Sequence, residues 1–290
     1  MKPVGIFYFS GTGNTKLVAG MIREEFIKNG YEVDLIRIED VLKGSCKFDP
    51  GRYGLIGIGC QVTGYSVPNI MHKFLRKVPE AENSRVFIFR TAGGVGPVNY
   101  NASNPVRRKL TRKGYEVFHE RMFSIGSNWI NKFDTSVVRQ LYLATQKKVA
   151  AMCGEVINGQ KRVLKTGLGL KLGIGLAAPV FSVLFRFMGK DLKVSEACTH
   201  CGLCVDNCPA GNIYEKKHDV RFKLSCNCCL RCVYSCPQKA LSFKRLTFIP
   251  VTGGYDINKI LNQACEKTSG ESAANRVPPF FNEYVSNGKM

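Results

Sequence analysis

Val4-Gly5-Ile6-Phe7-Tyr8-Phe9-Ser10-Gly11-Thr12-Gly13-Asn14-Thr15 is an apolar run followed by a loop of small and hydroxylated residues. From Thr15 to Lys28 the apolar positions Leu17, Val18, Met21, Ile22 and Phe26 recur at helical spacing, and Asn29-Gly30 supplies a stop. A strand, a tight loop and a helix in that order make a βα unit. Hydroxyls at Ser10, Thr12 and Thr15, with the backbone N–H groups of a helix start, form a nest for a phosphate that needs no cation. Gly11 and Gly13 permit the tight turn and a close approach of the ligand. The third glycine of a dinucleotide fingerprint is missing, and so is the Gly-Lys-Ser/Thr of a nucleoside-triphosphate loop.

Working outward, the alternation repeats. Glu32–Ile38 reads as a strand, Leu55–Cys60 as a second apolar run, Asn69–Lys77 as a helix, Arg85–Arg90 and Tyr115–Ser124 as further strands, and Thr135–Asn158 as a last helix closed by Gly159. Five strands separated by crossover segments predict a parallel sheet covered on both faces, an α/β doubly wound domain over residues 1–160. The loops after the third and fourth strands carry Thr63-Gly64-Tyr65 and Thr91-Ala92-Gly93-Gly94. Trp129 follows the fifth strand and reads as a structural anchor or as a ring contact.

Residues 193–245 hold a cysteine array. Cys198, Cys201, Cys204 and Cys208 precede Pro209, and Cys226, Cys229, Cys232 and Cys236 precede Pro237. Both runs fit C-x2-C-x2-C-x3-C-P. Three cysteines at that spacing wrap one iron–sulfur cluster, and the fourth crosses to the other. The expected sets are Cys198, Cys201, Cys204 and Cys236 for one [4Fe-4S] cluster, and Cys226, Cys229, Cys232 and Cys208 for the other. Structural zinc pairs its cysteines as C-x2-C…C-x2-C and does not fit a run of four. Cys228 breaks the register and reads as a bystander, while Cys46, Cys60, Cys153 and Cys265 read as small buried residues.

These motifs carry two resemblances. Ser10-x-Thr12-Gly13-x-Thr15 after a first strand resembles the FMN-phosphate loop of flavodoxins, and the array resembles a bacterial two-[4Fe-4S] ferredoxin. The chain as a whole is similar to fusions of a flavodoxin-like domain with a small α+β ferredoxin domain, found mostly in anaerobes. That resemblance implies FMN held by Ser10, Thr12, Gly13, Asn14 and Thr15 at the phosphate. At the ring it implies Thr63, Gly64, Tyr65 and Thr91, Ala92, Gly93, Gly94, with Tyr65 a candidate for stacking. The function it implies is electron transfer between two clusters and FMN on behalf of a redox partner protein. The alternative is an FMN-dependent reductase of a small oxidant such as a quinone, flavin or nitroaromatic. Tyr65 and His72 are candidate proton donors for it, weakly placed by sequence.

The formal net charge is +20. Two clusters with their thiolates and a flavin phosphate would lower it to roughly +14, still basic, where two-cluster ferredoxins of this kind are usually acidic. A generally solvated basic surface, acidic redox partners and an anionic membrane surface are the three readings of that charge. No recognised nucleic-acid module is present. The opening MKPVGIFYFS has too short an apolar run for a signal peptide, so a cytoplasmic setting that keeps thiols reduced is expected, peripheral to the inner face of the membrane if the basic surface is used there.

Residues 161–192 join the two parts and contain six basic residues before Asp191 and no earlier acid, around Leu172–Phe185. That fourteen-residue uncharged run reads as too short to span a bilayer of about 30 Å. It is expected to pack between the domains over the flavin or a cluster, or to lie on an anionic membrane. The glycines Gly167, Gly169 and Gly173 are not a nicotinamide fingerprint, since no strand precedes them. Residues 246–290 are a polar extension with no legible chemistry.

Overall fold

A computed structural model of the chain describes residues 2–266 and 277–286. The expectation for Cys265 concerns a side chain outside those described. The first part is a five-stranded parallel sheet: β1 (Val4–Tyr8), β2 (Val33–Arg37), β3 (Leu55–Gln61), β4 (Arg85–Thr91) and β5 (Glu116–Phe123), in the order β2-β1-β3-β4-β5. That is the flavodoxin-like doubly wound order. β1, β3 and β4 are buried nearly throughout, as parallel strands covered on both faces must be.

Helices α1 (Asn14–Lys28) and α5 (Thr135–Ile157) cover one face, and α2 (Ile38–Lys43), α3 (Asn69–Lys77) and α4 (Asn104–Thr111) the other. The short α2 and α4 were not expected from the sequence. α3 shows the logic of the set: Ile70, Met71, Phe74 and Leu75 form its buried stripe, and burying a side chain such as Phe74 contributes about 2–3 kcal/mol. Gly57 and Gly59 leave β3 bare on one face, where the rings of Phe87 and Phe89 lie across it; a Cβ at Gly59 would sit 2.0 Å from Phe89.

The residues from 161 to 190 correct one expectation. Leu168–Met188 is a single 21-residue helix, α6, that continues through Pro179 and takes Lys171 into its first turn, so by length and composition it could cross a membrane. Only 11% of its most apolar stretch is buried, so the expected packing between domains is confined to one face.

The second part holds β6 (Leu192–Val194), α7 (Leu203–Asp206), β7 (Ile213–Lys216), β8 (Asp219–Phe222), α8 (Arg231–Ser235) and β9 (Leu241–Phe243), with β6 paired to β9 and β7 to β8, both antiparallel. The chain then returns to the sheet. Val251, Tyr255 and Ile257, the last at the start of α9 (Ile257–Glu266), join the core under α1 and α5. Phe281 and Tyr284, the latter in α10 (Asn282–Val285), pack with Val137, Leu141 and Ala144 of α5, and the Tyr284 hydroxyl accepts from Ser124 N–H (3.1 Å) and bonds with Thr145 (2.8 Å).

At the outer edge of the sheet, His119 on β5 bonds through Nε2 to Glu155 on α5 (2.7 Å), which also accepts from Arg162 and Arg121. Burial pushes the His119 pKa below its ordinary value of 6.5 against the pull of Glu155. The folded chain therefore binds this proton less readily than the unfolded one. The contribution is full above about pH 6.5 and is lost as the pH falls through the lowered value. The unfolding midpoint is expected to fall between pH 7.5 and 5. A His119→Gln variant, which keeps a donor for Glu155, should show a flatter profile in thermal melts; an unchanged slope would assign the acid sensitivity elsewhere.

Candidate functional site

In a doubly wound sheet, ligands bind at the carboxyl ends of the strands where the strand order reverses. Here that point lies between β1 and β3, and the cavity found there is built from the loops that follow β1, β3, β4 and β5. Its walls include Ser10, Gly11, Thr12, Asn14, Thr15, Gln61, Val62, Thr63, Gly64, Thr91, Ala92, Gly93, Gly126, Ser127, Asn128, Trp129, Cys228 and Cys229. None is acidic or basic, so the lining offers hydroxyls, amides and backbone groups.

The Ser10–Thr15 loop is tightly braced. Ser10 Oγ accepts from Gly13 N–H (3.1 Å), and Gly13 has the positive φ of +105° that only glycine adopts easily. Thr15 and Thr91 hydroxyls bond at 2.7 Å, joining the loops that follow β1 and β4. Asn14 donates to Gly126 O (3.1 Å) and accepts from the Tyr255 hydroxyl (2.7 Å), and Asn128 donates to Thr12 Oγ1 (2.8 Å). No side chain caps α1, which leaves its first-turn N–H groups facing the loop.

Nine of the residues that the sequence pointed to line this cavity, and three do not. Gly13 sits behind it as the helix cap. Gly94 turns its carbonyl to Asn99 Nδ2 (2.8 Å), and Asn99 is itself tied by its carbonyl to buried Arg90 (2.6 Å). Tyr65, at φ +62° and 38% exposed, packs edge-on against Phe181 of α6 at 5.7 Å. The sequence placed Gln61 in the ring-binding loop without giving it a role, and passed over Gly126, Ser127 and Asn128, which carry no motif. It left Trp129 undecided: Trp129 lines the cavity and also anchors Phe185 of α6 at 5.5 Å.

The cysteines gather in two groups. Cys198, Cys201, Cys204 and Cys236 converge around one space, lined also by His200, Gly202 and Pro237. Cys208, Cys226, Cys229 and Cys232 lie close enough to act on one another's charge: burial first, then Cys229 and Cys208, push the Cys226 thiol up to about 12. Four bare thiolates so placed would repel; a bound group carrying positive iron relieves that.

The two motifs repeat with a constant step of 28 residues, from Cys198 to Cys226 and from Cys208 to Cys236, and the backbone follows. His200 and Cys228, Gly202 and Leu230, and Gly211 and Lys239 all have positive φ. Asn212 N–H donates to Cys208 Sγ (3.2 Å), and Ala240 N–H to Cys236 Sγ (3.3 Å). Such N–H···S bonds are the ones that stabilise cluster sulfurs. Cys228 stands where His200 stands in the first motif; it is buried, with its thiol 3.5 Å from Met188 Sδ.

Cys229 touches the flavodoxin-like half directly. A Cβ on Gly11 would lie 2.6 Å from the Cys229 carbonyl oxygen, so the two loops meet backbone to backbone. Two residues on, Arg231 donates to Ser10 O (2.6 Å), Gly11 O (3.3 Å), Asn207 O (3.1 Å) and Glu39 Oε1 (2.7 Å). Asn227 Oδ1 accepts from Ile70 N–H (3.2 Å), and the Tyr234 hydroxyl donates to Asn128 O (2.7 Å).

Residues 193–214 match the family described as 4Fe-4S binding domain. Solved structures similar to the chain include flavodoxin 2 from Bacillus cereus (15% identity, 54% of this chain and 98% of that one, TM-score 0.40). They also include a flavodoxin from the domain Archaea (15%, 53% and 98%, 0.36) and two-electron reduced Megasphaera elsdenii flavodoxin (25%, 41% and 84%, 0.33). No curated protein matches the chain. The fold itself rests on the strand order. The chain thus joins a flavodoxin-like sheet to a ferredoxin-type 4Fe-4S binding segment, the architecture of a redox protein.

Because Arg231 is mostly buried and bonded to buried Glu39, removing it takes a donor from three loop carbonyls and leaves Glu39 with Arg37 alone (3.1 Å). Arg231→Ala is expected to destabilise the chain by about 1–3 kcal/mol in denaturant unfolding. Arg231→Lys should lose nearly as much, since one ammonium cannot reach oxygens spread over that fork.

Proposed function

We propose that the chain moves electrons between two [4Fe-4S] clusters and an FMN, serving a redox partner protein. The observation that carries this reading is the shared wall: Cys229, a ligand candidate of the second cluster, lines the same cavity as the Ser10–Thr15 loop. Bound there, clusters exchange single electrons and FMN one or two.

The residues suit these groups. For a flavin, the walls are neutral, the uncapped start of α1 faces the loop, and Gln61 Oε1 is a buried acceptor with no hydrogen-bond partner. Asn14 and Thr15 are already held by Tyr255 and Thr91, so the loop is preorganised. For two clusters, the matched backbone and N–H···S bonds of the second motif support a site equal to the one that the family match covers. Arg231 fixes the distance between the two halves and thereby the path between the groups. The charge of +20 suits an acidic protein partner in the cytoplasm.

One feature favours reduction of a small oxidant instead. A cleft of about 500 Å³ shares Val62, Gly64, Ala92, Gly93 and Trp129 with the flavin cavity and is otherwise mostly apolar, walled by Phe181, Phe185 and Phe248 with Tyr65 and Asn99 as its polar members. His72, the other candidate proton donor, lines a neighbouring cleft and not this one, which favours electron transfer over proton-coupled reduction.

Anaerobic reconstitution tests both. The chain is expected to take up about eight irons and one FMN, and Cys198→Ser or Cys226→Ser should each lose one cluster's iron and its share of visible absorbance. Four irons in the unaltered chain would sink the two-cluster reading. Rapid turnover of a quinone or nitroaromatic with no partner protein would replace the carrier reading with the reductase.

A further inference from the structure

α6 has two unlike sides. One rests on the protein: Ile174, Phe185 and Met188 are buried, and Ser182 Oγ donates to Asn69 Oδ1 (3.1 Å). At about 100° per residue, Leu168, Leu172, Leu176, Val180, Val183 and Phe187 fall on the opposite side. There they are 51–79% exposed and form a continuous apolar stripe along the whole helix. A stripe of this kind on a soluble surface marks an interaction site.

Charge says what covers it. Between Lys161 and Lys190 the chain has no acidic residue, and Lys165, Lys171, Arg186 and Lys190 are exposed. Arg107, Arg108 and Arg112 of the neighbouring α4 region share a cleft with Lys171 and Ile174. A second copy of the chain would bring the same cations face to face on bodies of +20 each. A helix crossing a bilayer would need all its sides in hydrocarbon, yet one side is covered by protein. A helix lying in the plane of an anionic surface satisfies both sides at once.

We propose that α6 seats the chain on an anionic lipid surface, with the Leu168–Phe187 stripe in the acyl boundary and the flanking lysines and arginines at the headgroups. The helix also gives Phe181, Leu184 and Phe185 to the cleft beside the flavin loops, so seating it brings that rim to the lipid boundary. The inference does not depend on which cofactors are bound.

The test is cosedimentation of the full-length, cofactor-loaded chain with vesicles rich in phosphatidylglycerol and with pure phosphatidylcholine vesicles, at low and moderate salt. Binding is expected to the anionic vesicles, falling as salt rises. Leu176→Asp with Val180→Asp should abolish it at every salt while circular dichroism and cluster absorbance stay unchanged. Lys171→Gln with Arg186→Gln should lower the partition coefficient by about thirtyfold at low salt. No binding at low salt would overturn the proposal, as would binding that the double Asp variant leaves intact. So would a lipid-free dimer in sedimentation velocity that the double Asp variant dissolves, because the stripe would then belong to a second copy.

Discussion

The guanidinium of Arg231 bonds to carbonyls on either side of the cysteine segment's border, Ser10 and Gly11 in one half and Asn207 in the other, and to the carboxylate of Glu39. Its planar fork supplies donors in several fixed directions, which is why an arginine and not a lysine stands at this junction. The loop that cradles the cavity and the loop that carries Cys229 are thereby held as one unit. Phe9 lies under the same guanidinium at 5.5 Å, so the clamp is seated on the end of the first strand. Everything proposed about communication between the two halves depends on this fixed separation.

The sheet supplies the other constraint. Its order puts the reversal between β1 and β3, and the bare face of β3 lets Phe87 and Phe89 lie flat without pushing the strands apart. The residues that follow those strands then have one place to converge. Strands β4 and β5 add the Thr91 hydroxyl and the Gly126–Trp129 turn, and the C-terminal Tyr255 closes the back. The last third of the chain is therefore not an appendage: it completes the core under α1 and α5.

How legible this was depended on the reach of the interactions. The cysteine positions were readable because cluster ligation dictates both residue type and spacing, and the Ser10–Thr15 loop because glycines and hydroxyls mark a turn that needs them. The five strands were readable from their apolar runs. Arg231 and Glu39 were not, because they meet across 192 residues and each looks like an ordinary surface charge in its own neighbourhood. Gly126, Ser127 and Asn128 share that limit. α6 was misread in length because Lys171 and Pro179 look like interruptions, although a first-turn lysine and a tolerated proline leave the helix continuous.

The backbones of Gly11 and Cys229 meet so closely that a side chain at Gly11 would strike the Cys229 carbonyl, so movement of one loop bears on the other. Occupancy on the two sides of that wall is then thermodynamically linked. Whatever factor a filled cysteine quartet applies to the affinity of the neighbouring cavity, a filled cavity returns to the quartet by the same factor. With the cofactors proposed above, loss of iron from the Cys229 loop would be felt as a change in grip on the far side of a single glycine.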